Sequence, residues 1–173
     1  MGALGDRRKG FDSLFEAWLS LCHGGGWDTD LVVIGSGAEL TDWRSRAAAS
    51  GYGHRFHFLG FRRDVPDVIA ALDGFVHPAR YEAYGLSVHG AICCGVPAIV
   101  SATAGVAERY PASLEDLLLV DPEDSGELAS RLRYWRSHVE RLRHQILPVS
   151  AALRAWTWDA MAARIVSLVE QAS

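Results

Sequence analysis

The chain has 173 residues, enough for one domain with a substantial core. Apolar residues make up 49% and charged residues 22%, an ordinary globular composition with no membrane-length apolar run and no leader pattern. A net charge of −4 excludes a basic footprint for nucleic acid or an anionic membrane; three cysteines without Cys-x-x-Cys spacing exclude a zinc site and suggest buried, inert thiols in a reducing cytoplasm.

Met1 to Gly10 is loop-like and runs into an amphipathic helix, because Phe11, Leu14, Phe15, Trp18, Leu19 and Cys22 share one helical face. His23-Gly24-Gly25-Gly26 ends it. Leu31 to Ile34 reads as a short buried strand, followed by Gly35-Ser36-Gly37 and a helix through about Ala49. Arg55 to Leu59 is a second strand. Asp64 is a plausible N-cap for a short helix carrying Val65, Val68, Ile69 and Leu72. Phe75-Val76 forms a third strand, with Gly74 to His77 closing it and Pro78 breaking the ladder. Leu86 to Cys94 can form a helix that Gly95 caps and Pro97 forbids from continuing. Ala98 to Val100 is a fourth strand and Leu117 to Val120 a fifth. Gly126 to about Leu147 is helical with a break near Ser137, and Pro148 interrupts. Trp158, Met161, Ala162, Ile165, Leu168 and Val169 stripe a terminal helix.

Short, uniformly apolar strands alternating with helices argue an α/β fold with a mostly parallel sheet covered on both faces. Ligands in such folds bind at the carboxyl ends of the strands. Gly35, Gly60, Pro78 and Ser101 all follow strands, so candidate site residues converge on that edge. The loop before Leu86 can aim free backbone N–H groups and a positive helix end at one spot, which suits a phosphate. It also reads as an ordinary strand-loop-helix joint. Gly35-Ser36-Gly37 invites a dinucleotide reading, but Leu40 stands where a third glycine belongs and no acid follows at ribose distance. His77 and His89 have no metal-ligand spacing.

The run from Glu82 through Ala83-Tyr84-Gly85-Leu86 to Cys94-Gly95-Val96-Pro97-Ala98-Ile99-Val100 resembles the Glu-x7-Glu region of retaining GT-B glycosyltransferases, the "group 1" or GT4 family. Arg8-Lys9-Gly10-Phe11 resembles its Lys-Gly element, Val33-Ile34-Gly35-Ser36-Gly37 with Glu39 its Gly-x-Gly loop, and Phe58-Leu59-Gly60-Phe61 its nucleobase-holding segment. Trp158 matches the aromatic of its terminal crossing helix. Two positions depart: Gly90 stands where the motif has its second glutamate, and Ala3 where it has an arginine.

The resemblance implies a Rossmann-like single domain over 1–173, one half of a GT-B fold, with the N-terminal acceptor domain absent. The family's first strand would lie mostly before Met1, with residues 1–4 as a stub. The implied function is hexosyl transfer from a UDP- or GDP-linked sugar to an acceptor hydroxyl with retention, using no cofactor or metal. Lys9 would bind the diphosphate, or else be a solvated charge beside Arg7 and Arg8. Glu82 would touch the donor sugar, or else compensate a helix N-terminus for about 0.3–1 kcal/mol. Backbone N–H groups around Gly85 and Leu86 would stabilise the diphosphate, Ala83 and Tyr84 would belong to the same nucleotide-sugar site, and the Gly90 position would face the ribose. The alternatives are a degenerate, non-catalytic nucleotide-binding module and, with a poorer fit at Glu82, a nucleotide-sugar epimerase.

Overall fold

A computed structural model describes residues 4–172, so Ala3 and most of the anticipated 1–4 stub lie outside the described residues. The five strands are β1 (Leu31–Ile34), β2 (Phe56–Gly60), β3 (Phe75–His77), β4 (Ala98–Ser101) and β5 (Leu118–Leu119). All pairings are parallel, as expected, but the strands divide between two sheets, β1-β2 and β3-β4-β5. Every residue of β4 is buried, which is why its sequence is an unbroken apolar run rather than an alternating one.

Helix α1 (Phe11–His23) buries Leu14, Phe15, Trp18, Leu21 and Cys22 and packs on α5 (Ser125–Ser137). Helix α2 (Leu40–Ala49) adds Trp43, whose ring lies 4.9 Å from Phe11 and 5.2 Å from Phe15. Phe56 of β2 completes this aromatic cluster 5.1 Å from Phe15. On the other side, α4 (Leu86–Cys93) packs between α3 (Val65–Ala70) and α6 (Val139–Arg154). Helix α7 (Trp158–Ala172) ends the described chain.

Several expectations need correction. Asp64 makes no capping bond; its carboxylate instead accepts from Arg62 Nε at 2.8 Å. The fifth strand is cut to two residues because Ala112–Leu117 forms 3-10 turns that bury Leu114 and Leu117. The break after Ser137 is real, at His138, but Pro148 lies inside α6 and does not interrupt it. Pro148 and His144, whose carbonyl loses its helical partner, are both exposed, so water can satisfy that carbonyl. Leu142, Ile146, Ser150 and Leu153 stay buried and hold the helix through the proline. The thiols are not uniformly buried: Cys22 is, Cys93 is half-buried, and Cys94 is exposed at the C-cap of α4. The stripe of α7 is exposed rather than packed, with Trp158 at 82%.

Residues 4–10 run across the carboxyl ends of β1 and β3. At one end, the Leu4 N–H donates to Ser36 O at 3.0 Å, and a Cβ on Gly37 would fall 1.6 Å from Leu4 O. At the other, Gly10 adopts φ 67°, its Cβ position only 1.9 Å from Pro78 O, and Arg80 N–H donates to Arg8 O at 2.8 Å. Below this bridge, β1 and β3 each pair along one edge among the described residues. Their other edges flank a cleft of about 530 Å³, walled by Leu14 and Trp18 of α1 and Leu132 and Trp135 of α5.

Candidate functional site

The bridge positions Lys9. Asp6 caps the 3-10 turn Arg7–Lys9 and grips the Arg8 guanidinium at 2.9–3.0 Å. Arg80 grips the same segment from below. It donates to Asp12 at 2.8 and 3.0 Å, to Glu123 at 2.8 Å and to the Arg7 carbonyl. With Arg8 and Arg80 so engaged, the cation that reaches the strand-end loop is Lys9. Its Nζ lies 3.0 Å from Glu82 Oε2.

Glu82 stands on the loop after β3. The same Oε2 accepts from His77 Nε2 at 3.1 Å. Burial pushes the Glu82 carboxyl up, but the hydrogen bonds from Lys9 and His77 outweigh it and hold the group below its ordinary value. His77, the last residue of β3, is 3% exposed; burial lowers its pKa and the bond to Glu82 opposes that shift. The ring is therefore neutral at pH 7. Because a carboxylate can only accept, Nε2 is assigned the proton.

Gly85 follows with φ 102° and starts α4; its Cβ position is already 3.0 Å from Val106. Tyr84 O accepts from Val106 N–H at 2.8 Å, and a Cβ on Gly105 would meet Ala83 O at 2.6 Å, so Ala83 to Gly85 is pinned from behind. The first backbone bond of α4 runs from His89 N–H to Gly85 O, which leaves the N–H groups of Leu86, Ser87 and Val88 without backbone acceptors. Leu86 is 79% exposed at this tip. Tyr84 and His89 are joined through Oη and Nδ1 at 2.8 Å. Gly90 is half-buried with nothing within 4 Å of its Cβ position.

The remaining predicted residues gather at the end of β1 and β2. Gly35 N–H donates to Gly60 O at 2.8 Å, and Ser36 O is taken by Leu4. Gly37 is locked under Leu4. The Glu39 carboxylate accepts from Trp43 Nε1 at 3.2 Å and lines a separate cavity of about 280 Å³ beside Asp6, Asp12 and Arg46. Phe58 packs on Phe11, while Leu59 and Phe61 are exposed. The predicted set thus forms two clusters at the carboxyl ends, one around Lys9 and Glu82 and one around Gly35 and Gly60, linked by residues 4–10. Neither cavity described above is lined by Lys9 or Glu82.

Sequence reasoning left out Arg80 and Asp12 and gave His77 no partner. The sequence offers no signal for the Arg80–Asp12 pair, 68 positions apart. Among the described residues no group of three or more His, Cys, Asp or Glu could hold a metal ion, and no helix is long and apolar enough to cross a membrane.

Residues 1–137 match the family described as "Glycosyl transferases group 1". The chain is 31% identical over 126 residues to the lipopolysaccharide glucosyltransferase WaaG of Escherichia coli K12, covering 73% of this chain and 33% of that protein. It spans about a third of the length of the curated relatives it matches. Among solved structures, HepE of Anabaena in complex with UDP superposes with TM-score 0.82 at 19% identity, over 99% of this chain and 47% of that one. The C-terminal domain of a group 1 glycosyl transferase from Francisella tularensis, LpcC, superposes with TM-score 0.73 at 24% identity, over 88% of this chain and 80% of that one. These two likenesses are of fold.

Proposed function

Since this chain belongs to the group 1 glycosyl transferases, we propose that it is the donor-binding half of a two-domain GT-B enzyme. That enzyme transfers a hexosyl group from a UDP- or GDP-linked sugar to an acceptor hydroxyl with retention. One observation carries the reading: the Lys9 ammonium, the Glu82 carboxylate and the bare N–H groups of α4 belong to one loop cluster at the carboxyl edge. The activity in the WaaG name, glucosyl transfer, supports a hexosyl donor.

The chemistry follows from charge. As the sugar–phosphate bond breaks, negative charge accumulates on the diphosphate. The Lys9 ammonium and the α4 N–H groups stabilise that charge without a resident metal or cofactor. Glu82, ionised at neutral pH, accepts hydrogen bonds from the donor sugar and orients it. Gly35 to Gly37, Glu39 and Phe58 to Phe61 face the nucleotide side. The acceptor sits on the other domain. Work in the cytoplasm fits three cysteines that form no disulfide.

Calorimetric titration with UDP and GDP tests this reading. Binding of one nucleotide is expected, weakened roughly ten- to a hundredfold in Lys9→Met, the range of a charge-assisted hydrogen bond. No binding of either, or a Lys9→Met variant that binds as well, would reject it. A second reading, a non-catalytic nucleotide-binding module, is favoured by Gly90, which presents no side chain where the motif has a glutamate.

A further inference from the structure

We propose that His77 is a positioning residue: it keeps Glu82 in place when the diphosphate of the donor draws Lys9 away. The inference rests on the donor-site reading above and adds a residue to it. Lys9 and His77 share one carboxylate oxygen, at 3.0 and 3.1 Å, but they differ in freedom. The Lys9 side chain is 32% exposed, on a flexible four-carbon stem at a surface turn. The His77 side chain is 4% exposed and belongs to a strand residue paired with Val100. An incoming anion can reach Lys9 and cannot displace the buried ring.

The two partners therefore have separate tasks. In the ligand-free protein the Lys9–Glu82 pair neutralises both charges. A diphosphate competes for the ammonium and leaves the carboxylate with one donor. Without His77, Glu82 would then be an ionised group on a loop, free to turn to solvent. With it, the bond spanning five residues closes the loop back on its own strand. The neutral ring suits the task, since it donates one hydrogen bond and adds no positive charge that would compete with Lys9 for the phosphate.

The His77 ring reports the exchange. Lys9 and Glu82 are the charged groups that face it among the described residues. Proton titration of a 13C-labelled ring is followed by NMR in the wild type, Lys9→Met and Glu82→Gln, with and without saturating UDP or GDP. Without nucleotide, Lys9→Met should raise the His77 midpoint and Glu82→Gln should lower it. Nucleotide should move the wild-type midpoint in the direction of Lys9→Met, and move that of Lys9→Met itself less, by the charge of the diphosphate alone. A nucleotide that binds by calorimetry yet leaves His77 titrating as before overturns the exchange while the donor reading stands. Absence of any nucleotide binding overturns both. The conservative variant supplies a second readout, using UDP-glucose and GDP-mannose against the matching diphosphates. His77→Leu should erase about tenfold of the preference for sugar nucleotide over diphosphate, and His77→Gln, which keeps an N–H donor, should restore part of it. Equal loss in both variants would reduce His77 to packing and overturn the proposal.

Discussion

Gly90 separates an intact donor site from a degraded one. A Cβ there meets open space, so a side chain can start from this position without displacing a neighbour. Gly90→Glu should raise the thermal midpoint, since a mid-helix glycine costs about 1 kcal/mol against alanine. If position 90 faces a ribose, the same change should tighten UDP or GDP binding roughly ten- to a hundredfold. A variant that melts higher but binds no better would favour the module reading. The His77–Glu82 pair makes stability depend on pH. His77 titrates below its ordinary 6.5 in the folded chain, so the unfolded chain takes up that proton first as pH falls. Stability should be level above pH 7, decline as pH drops through about 6.5, and decline again lower down as Glu82, whose folded value is depressed, loses its charge. Urea unfolding midpoints across pH 4 to 8 check this; His77→Leu should remove the first decline. Lys9 and Glu82 were both legible through motif resemblance. Their contact across 73 positions was not, because a motif ranks residue types and says nothing of which side chains touch.

At the scale of elements, apolar spacing located α1, unbroken apolar runs β1 and β4, and the Gly95–Pro97 stop α4, each to within a residue or so. Local rules failed where tertiary contacts outweighed them. Pro148 is a helix breaker by sequence, yet Ile146 and Ser150 hold α6 against the core on both sides of it. Asp64 is an N-cap by type, but the Arg62 guanidinium takes its carboxylate. The turn at Gly10 is the element on which the site depends most. Gly10→Ala places a Cβ against the Pro78 carbonyl at a φ that costs a non-glycine residue about 1–3 kcal/mol before any clash. The variant should melt lower and also lose nucleotide affinity, because relief of the clash moves Lys9 away from Glu82. Lower stability with unchanged UDP or GDP affinity would show that Lys9 does not need the turn.

For the molecule as a whole, the α/β class and parallel pairing were readable from short apolar strands between helices. The division into two sheets was not, since a strand's composition reports its burial and not its neighbour. The terminal helix shows the same gap: its periodicity predicts α7 correctly, but the exposed Trp158, Met161, Ile165 and Leu168 find no core in this domain. The purified 173-residue chain is expected to transfer no sugar to any acceptor, because on the proposed reading another domain holds the acceptor and closes the reacting centre to water. Transfer by this chain in a radiolabelled-donor assay would refute that.

The cleft between β1 and β3 has a consequence for the backbone itself. Alternate residues of a parallel strand turn their N–H groups to opposite edges. Gly35 donates to Gly60 and Phe75 to Pro97, which fixes the parity of both strands: Val33 and Phe75 face their partner strands, while Val32, Ile34 and Val76 face the cleft. Deuterium uptake should therefore alternate along each strand, fast at Val32, Ile34 and Val76 and slow at Val33, Phe75 and His77, with the buried Ile34 exchanging faster than the equally buried Val33. Anything that completes the ladder would silence the alternation, so the rhythm of exchange in two short strands measures whether the cleft stands open in solution.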